Sequence, residues 1–481
     1  MPLRLPIAAA AGALLAAGAV VLLSAAPAQA ITTVSGSGTG TILTQGTALS
    51  HNAGEPEDVA VAGSDVYVAN YTNSVVDVYS ESTGAYVTSV AVGANPDALA
   101  VSSDGSEVFV ADQGSHDIAI ISTSSNTVTS DFSVANESPI SIALSPDATT
   151  VYVLFNNSLI VRSYDLAGTL LNSSVGTGAA AGFHVKVSAD GSKVFVTYRD
   201  PTGSLVILNS DLSAVTSIAV PSASGLGFSP DGKDLFVGGT TTANVGHVAE
   251  LDVATDTPTG NSATVGQEPQ TLVASPNGAW IYSASFGDGD ISVIDRSTFT
   301  STAEGSTGAT NMAISPDGLH LYVANAGGSD VDVFSIAQVT VSADAAIVHG
   351  TASTPFTVSV ADGNTPVGDY SADTVVVNLY NASNVLVASS TSVPMTVAGS
   401  LTVPIDTSSL PVGVYHATAT LTDPADTTST SATATGFTVK ATLAATGTDG
   451  TIPFILGSLL VGAGLILFAL RAVAARRRSA A

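Results

Sequence analysis

One pattern recurs seven times in this 481-residue chain and constrains its fold more than any other feature. A short apolar segment that opens on an aromatic residue, Tyr67-Val68-Ala69-Asn70, returns at Phe109, Tyr152, Phe195, Phe236, Tyr282 and Tyr322, at a mean spacing of about 42 residues. A period in the range of roughly 20 to 50 residues marks a chain built from one supersecondary unit that cannot bury its apolar faces alone. Most copies follow an Asp-Gly-type dipeptide, at Asp104-Gly105, Asp190-Gly191, Asp231-Gly232, Asn277-Gly278 and Asp317-Gly318, with a degenerate Asp147-Ala148 and a shortened Gly63-Ser64 in the first repeat. Such dipeptides tolerate positive φ and close tight hairpins. Within a repeat the apolar residues alternate, as in Leu99 and Val101, Val108 and Val110, Ile118 and Ile120. That is the period of a strand, so each repeat reads as four short strands joined by turns.

Four strands per repeat, seven repeats and tight turns describe the blades of a β-propeller. The copies across residues 56 to 336 resemble the YVTN family of propeller repeats. WD40 repeats fit less well, because the lone tryptophan, Trp280, is not part of a Trp-Asp pair. The resemblance implies an all-β, seven-bladed β-propeller over 31–336. After Asp332-Val333-Phe334 the seventh repeat lacks an outer strand, while an unassigned β-prone piece, Thr41-Ile42-Leu43-Thr44, precedes the first. We therefore expect segment 31–55 to supply that strand and clasp the ring shut, which removes the open sheet edges.

From 337 to 440 the period vanishes. Alternating strands take over, such as Phe356-Thr357-Val358-Ser359-Val360, Val375-Val376-Val377-Asn378-Leu379 and the run from Tyr415 to Leu421. Short strands separated by Pro, Gly and Asp turns predict an immunoglobulin-like β-sandwich, although no Cys-Trp-Cys core is present. Its expected role is a stalk.

Segment 441–481 carries a different signal. Leu443-Ala444-Ala445-Thr446-Gly447 precedes a charge-free apolar run over 452–470, followed by a basic tail over 471–481 with Arg471 and Arg476-Arg477-Arg478. The run is long enough for a transmembrane helix, and the arginines place its far side in the cytoplasm. LAATG resembles the LPxTG family of cell-wall sorting signals, and more closely the LAxTG variant of class E sortases in high-GC Gram-positive bacteria; Ala444 stands where the commoner motif has proline. The resemblance implies that a sortase attacks the Thr446 carbonyl, releases the chain from Gly447 onward and joins the remainder covalently to peptidoglycan. The open alternative is a helix kept as a permanent membrane anchor. At 1–30, Arg4, an apolar stretch and Ala28-Gln29-Ala30 predict a signal peptide cleaved after Ala30, hence Sec export and an extracellular, cell-wall location.

Between Ile31 and Thr446 seven lysines and arginines face 38 aspartates and glutamates. Such an acidic surface argues against nucleic acid as a partner. The absence of cysteine excludes thiol catalysis and disulfide staples, leaving the fold to its cores. No nucleophile elbow, zinc-helix motif or phosphate loop is present, and the seven histidines are scattered singly.

The innermost strand of each repeat offers the best candidates. One register holds Ala60, Ala100, Ala143, Lys186, Gly227, Val273 and Ala313; two residues earlier stand Asp58, Ala98, Ser141, His184, Gly225, Thr271 and Asn311. Lys186 is the exception among small residues, and strand alternation puts His184 on its face. Asp58, His184, Lys186 and Asn311 are the candidate ligand-binding residues, for an anion or carbonyl group; a cation neutralised by Asp58 is the structural alternative. Glu57, Asp97 and Asp288 belong to an acid-rich rim that also carries Glu55, Glu137 and Glu268, and are candidates for calcium, although no cofactor is required. The expected function is a wall-displayed binding or adhesion protein for a protein or glycan. The alternative is an extracellular enzyme, lactonase-like or an oxidoreductase subunit, since related propellers include both. Catalysis is disfavoured because the channel register is mostly Ala, Gly, Ser and Thr.

Overall fold

The computed structural model describes residues 43–50, 54–174, 181–199, 203–306, 308–336, 338–342, 346–361, 374–383, 385–395, 400–422 and 429–440. The expected signal peptide with Ala28 and Ala30, the LAATG pentapeptide and the apolar run at 452–470 lie outside these residues. Among the described residues no helix is long and apolar enough to cross a membrane.

Seven four-stranded antiparallel sheets account for the repeats. Their first strands are Pro56–Ala62, Pro96–Val101, Pro139–Leu144, Gly182–Val187, Leu226–Phe228, Pro269–Ala274 and Ala309–Ile314, and we number the sheets 1 to 7 in that order. Each first strand neighbours the first strand of the next sheet, and that of sheet 7 returns to sheet 1. The first strands therefore form the inner wall of a closed, β-propeller-like ring. Their register is shared: Ala60, Ala100, Ala143, Lys186, Gly227, Val273 and Ala313 each pair with the aromatic residue that opens the second strand's apolar run.

The turn between first and second strands is held by a serine two residues before the Asp or Asn. In sheets 2 to 7 the hydroxyls of Ser102, Ser145, Ser188, Ser229, Ser275 and Ser315 donate to Asp104, Asp147, Asp190, Asp231, Asn277 and Asp317 at 2.6–2.7 Å. The same hydroxyls accept the backbone N–H that starts the second strand, as Glu107 N–H does on Ser102 at 3.0 Å. The residue after the Asp or Asn has positive φ in every copy, including Ala148 at 53° where the others have glycine.

Packing between sheets rests on the repeated aromatics, all of them buried. Where the residue is tyrosine, its hydroxyl can also reach the next sheet: Tyr67 donates to Asn126 Oδ1 at 2.6 Å, Tyr152 to Ser210 O at 3.0 Å and Tyr322 to Glu81 O at 3.4 Å. The last of these joins sheet 7 to sheet 1. The missing outer strand of sheet 7 is Leu43–Gln45, pairing antiparallel with Asp330–Ile336 through Leu43↔Ile336 and Gln45↔Phe334. Gly46 and Leu49 extend the contact by backbone bonds to Val333 and Val331. Leu49 is buried in the apolar seam formed by Val59, Val66 and Tyr79 of sheet 1 with Tyr322 and Val331 of sheet 7.

The remaining described residues build two sheets around a separate core. Gln338–Ser342, Thr354–Ala361 and Ser400–Ile405 form one, while Ala346–Val348, Ser429–Lys440, Gly413–Thr422, Thr374–Asn381 and Leu386–Ser389 form the other, with Val393–Pro394 at its side. Phe356, Val358 and Val403 from the first meet Val375, Val377, Ala417 and Val439 from the second, so the two sheets share one apolar interior. Tyr415 turns its hydroxyl back to Pro411 O at 2.7 Å.

Two expectations follow from this architecture. Leu49→Ala removes the plug of the closing seam and should destabilise the ring by about 2–4 kcal/mol, read as a lowered thermal or denaturant midpoint; an unchanged midpoint would show that closure does not depend on this segment. Ala148→Gly should stabilise by roughly 1 kcal/mol, because the left-handed backbone costs a β-carbon about that much. A lowered midpoint would mean that the turn's strain is negligible.

Candidate functional site

The inner strands enclose a channel whose two halves differ. Toward the ends where the strands turn out, it is lined by Ala60, Ala100, Ala143, Val273 and Ala313. Toward the strand starts it opens into a polar cavity of about 200 Å³ bordered by Glu57, Asp58, Asp97, His184, Lys186 and Asn311. Asp58 and Lys186 border both halves and so form the waist. The four residues expected to bind a ligand thus come together in one place.

Each is positioned by a local irregularity. The inner strands of sheets 1, 2, 3, 4, 6 and 7 shift register near their starts, which frees a backbone N–H for a side-chain acceptor. Asp58 uses both oxygens in this way: Oδ1 accepts from Val59 N and Oδ2 from Leu99 N of sheet 2, each at 2.7 Å. Asn311 Oδ1 accepts from Met312 N at 2.9 Å, and Ser141 Oγ from Val185 N of sheet 4 at 3.1 Å. Sheet 5 departs most. Its inner strand has three residues and leans on sheet 6, so close that a β-carbon on Gly225 would lie 2.7 Å from Pro269 O and one on Gly227 2.4 Å from Leu272 O. His184 of sheet 4 reaches past it to Gln270 O of sheet 6 at 2.7 Å. A carbonyl only accepts, so Nε2 carries the proton.

Burial and charge shape the site's titration. Burial pushes the His184 pKa down to about 4, with the Lys186 charge adding to the effect, so the imidazole is neutral at physiological pH. The Asp58 pKa is pushed up to about 7, first by burial, against the pull of the Leu99 N–H and the Lys186 charge. Burial likewise raises Asp97, reinforced by Glu57 and Asp58, and raises Glu57, reinforced by Glu55. Lys186 is lowered by its depth in the ring and held up by Asp58. Its side chain nevertheless presents much of its surface to the channel, where water moderates that lowering.

Lys186 has no acidic oxygen within 4.0 Å among the described residues. It couples to Asp58 across a gap, because both Asp58 oxygens serve backbone donors. Every other lysine or arginine of the ring is paired: Arg162 with Glu137, Lys193 with Asp256, Arg199 with Glu268, Lys233 with Asp231, and Arg296 with Asp234 and Glu250.

The acid-rich rim is less concentrated than its sequence suggests. Glu137 and Glu268 are used in those ion pairs, and Asp288 accepts from Gln267 N at 2.8 Å and does not border the cavity. Glu57 and Asp97 remain at the mouth. Among the described residues the group whose ligand atoms all lie within 4.8 Å is Glu81, Asp317 and His320, on the opposite face at the seam of sheets 7 and 1. His320 Nδ1 lies 3.3 Å from Glu81 there, so these two already join sheet 7 to sheet 1. Nothing in the sequence connects residues 81 and 320; ring closure does.

No protein-family model matches the chain, and a search of curated proteins finds no sequence match. Among solved structures it is similar to Kuenenia stuttgartiensis hydrazine synthase, with a TM-score of 0.53 and 18% identity, over 61% of this chain and 98% of the matched chain. At that identity the likeness concerns the fold alone.

Asp112 gives the face a measurable pH response. It is fully buried, its Oδ2 accepts from Gly93 N at 3.0 Å and its Oδ1 has no partner. Burial, with Asp117 adding to it, pushes the carboxyl up to about 8. The folded state thus keeps a proton that the unfolded chain sheds near its ordinary 3.8, and this group's contribution to stability falls as pH rises from about 4 to about 8. Sheets 1 and 7 carry Asn70 and Asn325 at the same place. Asp112→Asn should therefore raise the melting midpoint at pH 8 and change it little near pH 4; equal gains at both would remove ionisation as the cause.

Proposed function

We propose that this protein is a cell-surface display protein: a seven-bladed β-propeller head of the YVTN type on an immunoglobulin-like stalk, joined to peptidoglycan by a sortase acting at Thr446. The observation that carries the reading is the order of signals after the folded modules, LAATG, then a charge-free run over 452–470, then Arg471 and Arg476 to Arg478. The order matters because the span halts export with the pentapeptide on the outer side, within reach of an extracellular transpeptidase. The two-layered packing supports the stalk reading, and the Tyr415 hydroxyl turned back onto Pro411 resembles the tyrosine corner of Greek-key sandwiches. The acidic surface suits a soluble module exposed to medium.

Binding at the propeller is favoured over catalysis by the site's chemistry. His184 is tied to a carbonyl, Asp58 to two backbone N–H groups, and the described residues bring no nucleophile and base into contact at the channel mouth. Replacing Thr446 with Ala removes the scissile carbonyl's side-chain context, so the protein should move from the peptidoglycan fraction to membrane or medium. Continued covalent attachment of the variant to wall fragments after boiling in detergent would overturn the anchoring.

A further inference from the structure

We propose that the polar mouth of the channel binds a small zwitterion, with its ammonium between Glu57 and Asp97 and its carboxylate on Lys186. The proposal rests on the reading of the ring as a binding head, and names the class of ligand.

The cavity is electrically divided. One wall carries Glu57 and Asp58 from sheet 1 and Asp97 from sheet 2; the other carries Lys186 from sheet 4. Each wall lacks something. The acids crowd one another, and burial makes their repulsion costly. Lys186 lacks a contact anion although carboxylates outnumber cations severalfold in this chain and the ring's other cations have all found one. Asp58 cannot move to it without stranding the N–H groups of Val59 and Leu99, which would cost about 1–3 kcal/mol each.

A lone anion would answer Lys186 but face three carboxylates. A lone cation would answer the acids but add to the charge of Lys186. A molecule bearing both charges satisfies both walls. Pairing each of its charges in the site offsets the cost of taking that charge out of water. The volume of about 200 Å³ is small against the several hundred cubic ångströms of drug-sized sites, and selects a molecule on the scale of an amino acid. Ser141 of sheet 3 on one side and Thr310 and Asn311 of sheet 7 on the other supply neutral polar groups for its edges.

The charge arrangement sets the sign of a proton linkage. An ammonium beside Glu57 and Asp97 favours their ionised forms, so binding should release protons and tighten as pH rises through the range in which these raised carboxyls ionise. An anion alone would raise the same acids further, take up protons and weaken over that range.

The test is calorimetric titration of the full-length protein with glycine, β-alanine and γ-aminobutyrate, and with acetate and methylammonium as the two halves. We expect at least one amino acid to bind about tenfold tighter or more than either half, with proton release measured across buffers of different ionisation enthalpy. Lys186→Met and Asp97→Asn should each weaken it about tenfold or more while the melting midpoint shows a folded ring. No amino acid binding at millimolar concentration, a half that binds as tightly as the whole, proton uptake, or affinity indifferent to Lys186→Met would each overturn the proposal. All of these outcomes leave the anchoring at Thr446 untouched, since wall fractionation reads it separately.

Discussion

Each of the seven sheets has two apolar faces and can bury both only between two neighbours, so the ring exists as a whole or not at all. That requirement explains why the chain crosses back on itself. Without Leu43–Gln45, the strand Asp330–Ile336 would present an unpaired edge and the seam between sheets 7 and 1 would lose Leu49. The seam is tied at three depths: by the strand pairing at the rim, by Leu49 among Tyr79, Tyr322 and Val331, and by Tyr322 and His320 on Glu81 at the opposite face. The last strand of the ring is therefore held on both sides at Ile336, where the chain leaves for the sandwich.

Closure of seven similar sheets also fixes the space at the centre. Alanine at the inner register pairs with the aromatic of the next strand in sheets 1, 2, 3 and 7 and leaves room along the axis. Sheet 5 breaks this pattern, because Gly225 and Gly227 let its backbone sit against sheet 6. The room vacated beside sheet 4 is crossed by His184, which reaches Gln270 of sheet 6. The glycines of sheet 5 and His184 of the preceding sheet are thus two halves of one packing solution. Departures from a repeat's own rule tend to mark where function resides.

Much of this was legible in the sequence. The copies of the Tyr67 segment set the number of sheets, and period-two alternation aligned Ala60 with Lys186 and Gly227, as the strand pairings show. A strand before sheet 1 was expected at 41–44, and the described pairing occupies Leu43–Gln45. Ser102 and its five equivalents were also there to be read, two residues before each turn Asp or Asn, but a hydroxyl's double role as donor and acceptor is visible only with the turn in place. What the sequence could not show were the contacts that ring closure creates: His184 to Gln270 across an intervening sheet, Glu81 beside His320, and rim acids such as Glu137 and Glu268 withdrawn into ion pairs. Repeat order tells which blades lie opposite, but not which individual side chains meet across the ring.

Electrostatics gives the channel its character. Of the five paired cations of the ring only Lys233 sits in an exposed pair, of the kind that contributes roughly 0 to 1 kcal/mol; the other four are in partly buried pairs, where desolvation offsets much of the attraction. Their pairing is the ordinary outcome when a few cations sit among many acids. Against that background the isolation of Lys186 reflects geometry, because the nearest carboxylate is already spent on the backbone of two strands. A cation kept apart from an adjacent acidic wall stores unsatisfied charge on both sides of one small cavity. Structural roles alone would be met as well by alanine, as sheets 1, 2, 3 and 7 demonstrate at the same register. The polar mouth thus differs from the rest of the inner wall in holding, among the described residues, one unpaired cation opposite a group of acids.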